Sequence, residues 1–226
     1  LPQNVDLKSY KIEERCLADW IRQNKITGDS SGGDHLVKIE KLKQAALETK
    51  YKEFVEWIKD FIDMTGQKIV LFAHHRDYIN KLLVDLKKFD PVSIVGGDAI
   101  QKRQDSIDMF QNKRSHRIII CSMKAAGVGI TLTEANTVAF FELGWNYQDH
   151  AQCEDRCHRI GQKDNVTAYY FIAKGTIEED IYELLESKKK VFDDVMQTSN
   201  LIDVKTKDLG SIYKDLLKKI VDKYEK

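Results

Sequence analysis

The sequence lacks a phosphate-cradling loop. Nowhere in its 226 residues does G-x-x-x-x-G-K-[ST] occur, the pattern whose backbone N–H groups and lysine hold a nucleoside polyphosphate. It also lacks a dinucleotide G-x-G-x-x-G after its first apolar strand and any nucleophile–base pair by motif. Both absences argue against a small-molecule enzyme on an α/β scaffold. Net charge is missing too, since 36 Lys and Arg offset 36 Asp and Glu. That excludes a global basic field, so any nucleic-acid contact must come from a local patch. No apolar run approaches the roughly 18 residues of a membrane span, and no membrane partner is expected. No signal peptide opens the chain, which starts at Leu1 rather than Met and reads as an excised piece. Cysteine is sparse: Cys16, Cys121, Cys153 and Cys157. Cys121 lies in an apolar run and reads as a core thiol. Cys153 and Cys157 have the spacing of neither a zinc knuckle nor a haem attachment, so no metal site is expected and the compartment reads as reducing and intracellular.

What is present is a change of period. Up to Met64 the pattern is helical: Ile12, Cys16 and Trp20 on one side of a first helix, a turn-rich break over Thr27–Asp34, then helices over Leu36–Thr49 and Lys50–Met64. From Lys68 onward, five short apolar runs alternate with helical patterns: KIVLFA, VSIVGG, RIIICS, TVAFFEL and VTAYYFIA. Strands apolar on both faces mean a parallel sheet covered on both sides, so the fold class is a doubly wound α/β domain. Right-handed crossovers put the turns after Ala73, Gly96–Gly97, Ser122 and Gly144 on one rim, where such folds bind ligands. Thr176 and Glu179 form a capping box for a long closing helix. The tail from Ser199 is amphipathic and lysine-rich, suited either to packing on its own domain or to a partner.

Polar groups gather on that rim. His74 and His75 end the first strand and read as a satisfied turn. Gly96, Gly97 and Arg103 sit in GGDAIQKR, where a glycine turn ahead of a helix can offer backbone N–H groups to phosphate. Ser122, Lys124, Gly127, Gly129 and Thr131 sit in SMKAAGVGIT, whose close glycines let a polyanion approach the main chain. Trp145 is either a platform or a core anchor. The stretch HAQCEDRCHRIGQK (His150–Lys163), read as a helix, aligns Gln152, Arg156 and Arg159 at i, i+4 and i+7. Guanidinium forks match phosphate oxygens. The alternative is a solvated face in which Glu154 and Asp155 pair with the arginines.

In that order and spacing, from about Lys50 to Val195, the chain resembles the second, C-terminal RecA-like lobe of superfamily-two, Swi/Snf-type DNA-dependent ATPases. KIVLFAHH resembles motif IV of that family, SMKAAGVGITLT motif V and QCEDRCHRIGQ motif VI. FAHH, LTEANTVAFFELGWN and YFIAKGTIEEDI resemble its annealing-helicase branch. The family's Asp-Gly-Ser-Thr segment is Gly-Gly-Asp-Ala here, with Gly96 as the aligned glycine. An Asn usual in motif V is Thr131, and the Pro that usually follows Trp-Asn is Tyr147.

The resemblance implies residues 1–49 as a helical lead-in, 50–198 as the helicase lobe and 199–226 as a C-terminal helix. It implies Arg156 and Arg159 as arginine fingers, with Arg159 on the γ-phosphate, and Gln152, Gly127 and Gly129 as ATP-binding. Gly96, Gly97, Arg103, Ser122, Lys124, Thr131 and Trp145 would follow DNA. ATP and Mg2+ would be held mainly by a first lobe that carries the missing phosphate loop and metal ligands. The implied partners are that N-terminal lobe and double-stranded or forked DNA, bound weakly and without sequence preference. The location would be intracellular, with DNA. A stand-alone, non-hydrolysing RecA-like module that binds DNA or protein is the alternative.

Overall fold

The computed structural model describes residues 6–24, 34–126, 129–198 and 209–224. In chain order the elements are α1 (Lys8–Gln23), α2 (Asp34–Thr65), β1 (Ile69–Ala73), α3 (Arg76–Asp85), β2 (Val92–Ile94), α4 (Ile100–Asn112), β3 (Ile118–Ser122), α5 (Met123–Ala126), β4 (Thr137–Phe140), α6 (Tyr147–Glu154), β5 (Thr167–Tyr170), α7 (Ile177–Thr198) and α8 (Leu209–Lys223). All strand pairings are parallel, in the order β2-β3-β1-β4-β5. The doubly wound α/β expectation is met. The chain forms two compact units, one of residues 51–171 and one of 2–50 with 172–226.

In the sheet unit, β1 and β3 are buried along their whole length, which is why they read as unbroken apolar runs. Register stacks one face into a ladder: Ile94 opposite Cys121, Cys121 opposite Phe72, Phe72 opposite Phe140, Phe140 opposite Tyr170. The rings of Phe72, Phe140 and Tyr170 stack at centroid distances of 5.2 and 4.6 Å. Phe110 of α4, Met123 of α5 and Cys153 of α6 join the same core. On the other face, Phe141 meets Tyr51 and Phe54 of α2 and Tyr78 of α3.

The helical unit departs from the sequence reading in three places. The two helices expected over 36–64 are one 32-residue helix. No Gly or Pro interrupts residues 34–65, and the buried stripe Leu42, Ala46, Leu47, Tyr51, Phe54 passes straight through Lys50, itself 1% exposed. α1 buries Tyr10, Glu14, Leu17, Ala18 and Ile21, whereas Ile12 and Cys16 are exposed. The face predicted from Ile12, Cys16 and Trp20 is therefore the wrong one, because the buried face contains a carboxylate. Glu14 accepts hydrogen bonds from Tyr10, Lys11, Lys223 and Tyr224. The α7 cap is a shifted box. Thr176 Oγ1 accepts from Glu178 N at 3.2 Å, and the Glu179 carboxylate accepts from Gly175 N at 2.8 Å. α8 buries Leu216, Leu217 and Ile220, while Lys219 pairs with Asp180 and Glu183. The tail helix thus packs within its own unit.

Candidate nucleotide and nucleic-acid site

The parallel sheet puts every strand's C-terminal end on one rim. The chain leaves β1 for β2 on one side and β4 for β5 on the other, so the topological switch lies between β1 and β4, where open α/β sheets bind ligands. At that point His75 N donates to Glu142 Oε1 at 2.9 Å, and His75 Nδ1 meets Oε2 at 2.5 Å. The histidine turn is satisfied as expected. Its fully buried carboxylate partner, 67 residues away, has no sequence signal beyond an acidic residue at a strand end.

The β2–α4 turn is organised by Asp98. Its N–H donates to Val95 O at 3.2 Å, and its carboxylate accepts from Val95 N at 2.9 Å and Lys102 Nζ at 2.6 Å. Burial alone would raise this carboxyl's pKa. The Lys102 and Val95 hydrogen bonds outweigh burial and lower it. Gly97, not the family-aligned Gly96, carries the positive φ of 90°, the third-position requirement of a type II turn. Both glycines are exposed. Arg103 is half-buried, and its Nε has no hydrogen-bond partner.

After β3, Ser122 is 9% exposed and its hydroxyl accepts from Ala125 N at 3.2 Å, capping the short α5. Lys124 is exposed and Trp145 half-buried. Gly127 lies outside the described residues. Gly129 is exposed at φ 45°.

The arginine stretch is not one helix. α6 is capped by Asn146, whose side chain accepts from Gln148 N at 3.1 Å, and it ends at Glu154. Beyond it the chain tightens: Arg156 N donates to Cys153 O and Cys157 N to Glu154 O, each three residues back. The Arg156 carbonyl then accepts from Leu132 N at 2.8 Å. That carbonyl faces the segment after β3, and the turn beyond α6 is held against it. Gly161 turns the chain at φ 109°. The Gln162 amide donates to the carbonyls of Ala135 at 2.8 Å, Thr133 at 3.1 Å and Cys157 at 3.4 Å, while its oxygen accepts from Lys163 N and Asp164 N. Residues 155–162 are a stapled turn, not the single helical stripe expected of Gln152, Arg156 and Arg159.

That turn separates the three residues chemically. Gln152 is exposed on α6. Arg156 is 7% exposed, and its Nε lacks a hydrogen-bond partner. Arg159 is half-buried; its Nη1 donates to Thr131 Oγ1 at 3.1 Å and Gly129 O at 3.4 Å. Neither arginine forms an ion pair with Glu154 or Asp155 among the described residues. Glu154 instead accepts from the Tyr170 hydroxyl at 2.5 Å, a phenol whose pKa is raised first by burial and then by that carboxylate. Burial pushes the Cys153 and Cys157 thiols up to about 12. Among the described residues no group of three or more His, Cys, Asp or Glu could hold a metal ion, and no helix is long and apolar enough to cross a membrane.

The profile of the helicase conserved C-terminal domain matches residues 49–161, which include the sheet as far as β4 and the arginine turn. The chain belongs to this family. Among curated relatives, the SWI/SNF-related matrix-associated actin-dependent regulator of chromatin subfamily A-like protein 1 of Drosophila melanogaster is 38% identical over 151 residues, covering 66% of this chain and 20% of the relative. The Xenopus tropicalis protein of that name is 31% identical over 176 residues, covering 77% and 19%. The chain thus spans about a fifth of the length of these relatives. Among solved structures, the Sulfolobus solfataricus SWI2/SNF2 ATPase C-terminal domain matches with TM-score 0.62 at 29% identity, covering 83% of this chain and 82% of that one. The ATPase core of the same organism in complex with dsDNA matches with TM-score 0.67 at 29% identity, covering 93% and 44%. The chain is a Swi/Snf-type helicase C-terminal domain with the RecA-like fold.

Proposed function

We propose that this helicase C-terminal domain acts as the second lobe of an ATP-dependent double-stranded-DNA translocase of the remodelling or annealing-helicase kind. It contributes arginines to ATP that a first lobe holds. The carrying observation is Arg156, a guanidinium more than nine-tenths buried with an unpartnered Nε, beside the tethered Arg159. A buried N–H left without an acceptor is costly, and a guanidinium fork suits an arriving phosphate. In this reading Arg159, and Arg156 beside it, neutralise charge that develops as the γ-phosphoryl transfers. Gln152, exposed on α6, is assigned to the nucleotide side together with Gly127 and Gly129. The exposed Gly96, Gly97 and Lys124, with Arg103, Ser122 and Trp145, belong to the proposed DNA side, where phosphate contacts position without reading sequence.

In this proposal Mg2+ accompanies ATP on the first lobe. Residues 50–198 are the working lobe in this proposal. Residues 1–49 are its lead-in and 199–226 a C-terminal helix. Nuclear or nucleoid DNA is the expected location. The test pairs this chain with a phosphate-loop lobe and follows phosphate release on duplex DNA. Turnover that needs both lobes and falls with Arg159→Ala supports the reading. Turnover indifferent to Arg159 rejects the arginine's role, and no turnover in the paired lobes favours a non-hydrolysing binding module.

A further inference from the structure

We infer that Thr131 is a positioning residue for Arg159 rather than a DNA contact. This deepens the proposed function and rests on it for the catalytic consequence, though not for the contact itself. The Thr131 hydroxyl is 3.1 Å from Arg159 Nη1, and Gly129 O is 3.4 Å from the same nitrogen. Both acceptors come from the segment after β3, 28 and 30 residues before the arginine. That segment is tied to the arginine turn by main-chain and amide bonds: Leu132 N to Arg156 O at 2.8 Å, and Gln162 Nε2 to the carbonyls of Thr133 and Ala135. A second anchor holds it from α4, where Gln111 accepts from Glu134 N at 3.2 Å and donates to Thr133 Oγ1 at 3.4 Å. The acceptor offered to Arg159 therefore belongs to a braced support.

A guanidinium has five N–H donors in a planar fork. Both of these Arg159 hydrogen bonds fall on Nη1, which leaves the Nε and Nη2 edge for a phosphate. A free arginine side chain carries about 2 kcal/mol of rotamer entropy, and fixing one corner of the fork beforehand removes much of that loss from the binding step. The tether is suited to an arginine that must meet charge arriving from outside the domain. It also explains a threonine at this position: the side chain is short, half-buried, and engaged by the arginine.

The test has two arms, using Thr131→Val, which is close in shape but has no hydroxyl, and Thr131→Ser, which restores it. In the 226-residue chain, 15N relaxation of the Arg159 Nε–H is expected to show a rigid fork in the parent and in T131S, and a mobile one in T131V at equal melting temperature. In the two-lobe protein, T131V is expected to lower kcat for DNA-stimulated ATP hydrolysis roughly five- to tenfold, the net scale of one ordinary hydrogen bond. KM for ATP and duplex Kd should stay within about twofold, and T131S should recover kcat. An equally rigid Arg159 in T131V overturns the tether. So does a weakened duplex Kd with kcat unchanged at saturating DNA, which makes Thr131 a DNA contact. Arg159→Ala runs beside them: if it leaves turnover intact the proposed function fails, while the relaxation arm still decides the tether.

Discussion

In the helical unit the buried Lys50, Glu178 and Glu14 are paired within the fold, whereas in the sheet unit the buried Arg156 keeps an unpartnered nitrogen. Lys50 and Glu178, 1% and 0% exposed, pair at 2.7 Å, and the second Glu178 oxygen accepts from Ala173 N at 2.9 Å. Glu14 is surrounded by two lysines and two tyrosines. In the sheet unit, Glu142 is likewise held by His75, but Arg156 is left with an orphan Nε. Folding alone favours the first arrangement. The second fits the proposed function, in which the arginine's partner arrives from outside the domain.

The comparison breaks first, and with the largest effect, at Lys50. Lys50→Ala strands a fully buried carboxylate and is expected to lower unfolding free energy by about 3–5 kcal/mol. Replacing the pair by Met and Leu should recover most of that, as read from urea midpoints of both variants. A loss below about 1 kcal/mol for Lys50→Ala would place the pair among the weak surface bridges.

Arg159 is expected to behave in the opposite sense. Arg159→Ala in the two-lobe protein should cut DNA-stimulated turnover by roughly 10²-fold, about 2.7 kcal/mol, with ATP affinity nearly retained and the melting temperature almost unmoved. A collapsed melting temperature would move the residue into the structural class.

A smaller effect lies on the acid side. Burial alone would raise the Glu14 pKa, but hydrogen bonds from Lys223, Tyr224 and Lys11 outweigh it and hold it below the ordinary 4.5. A depressed carboxyl contributes stability that is present above its unfolded pKa and lost as pH falls through the lower folded value. Stability should therefore drop as pH goes from about 5 downward, and Glu14→Gln should flatten that drop in a urea series.

Smallest is the thiol response. Cys16 is exposed, while Cys121, Cys153 and Cys157 are buried, with burial raising all three of the latter. Near neutral pH a disulfide reagent should titrate Cys16 quickly and the others only on unfolding. Fast reaction of Cys153 would show that the arginine turn opens.

The strands were legible because burial on both faces leaves a continuous apolar run, and FAHH and HRIGQ stand at a strand end and a turn where the rim forms. Three features were not legible, each for a nonlocal reason. The face of α1 was misread because its buried side carries Glu14, whose partners Lys223 and Tyr224 lie some 210 residues on. The long helix was split at Lys50, a charge that is tolerable inside only because Glu178 is there. The arginine stretch has good helical spacing, yet it turns after Glu154, and Leu132 N holds the Arg156 carbonyl of that turn. Periodicity registers what a segment prefers alone, and all three were decided by a group contributed from elsewhere in the chain.

The turn that presents the two arginines is closed largely by one carboxamide, Gln162, whose nitrogen serves three carbonyls. Glutamate has the same shape and would set a negative oxygen against those same three oxygens. Exchanging a single NH2 for O, whether by a codon change or by slow hydrolysis in an ageing sample, would turn the clasp into a point of repulsion without altering the molecule's outline. Loss of activity on storage would then come with a mass gain of about one dalton and no cleavage.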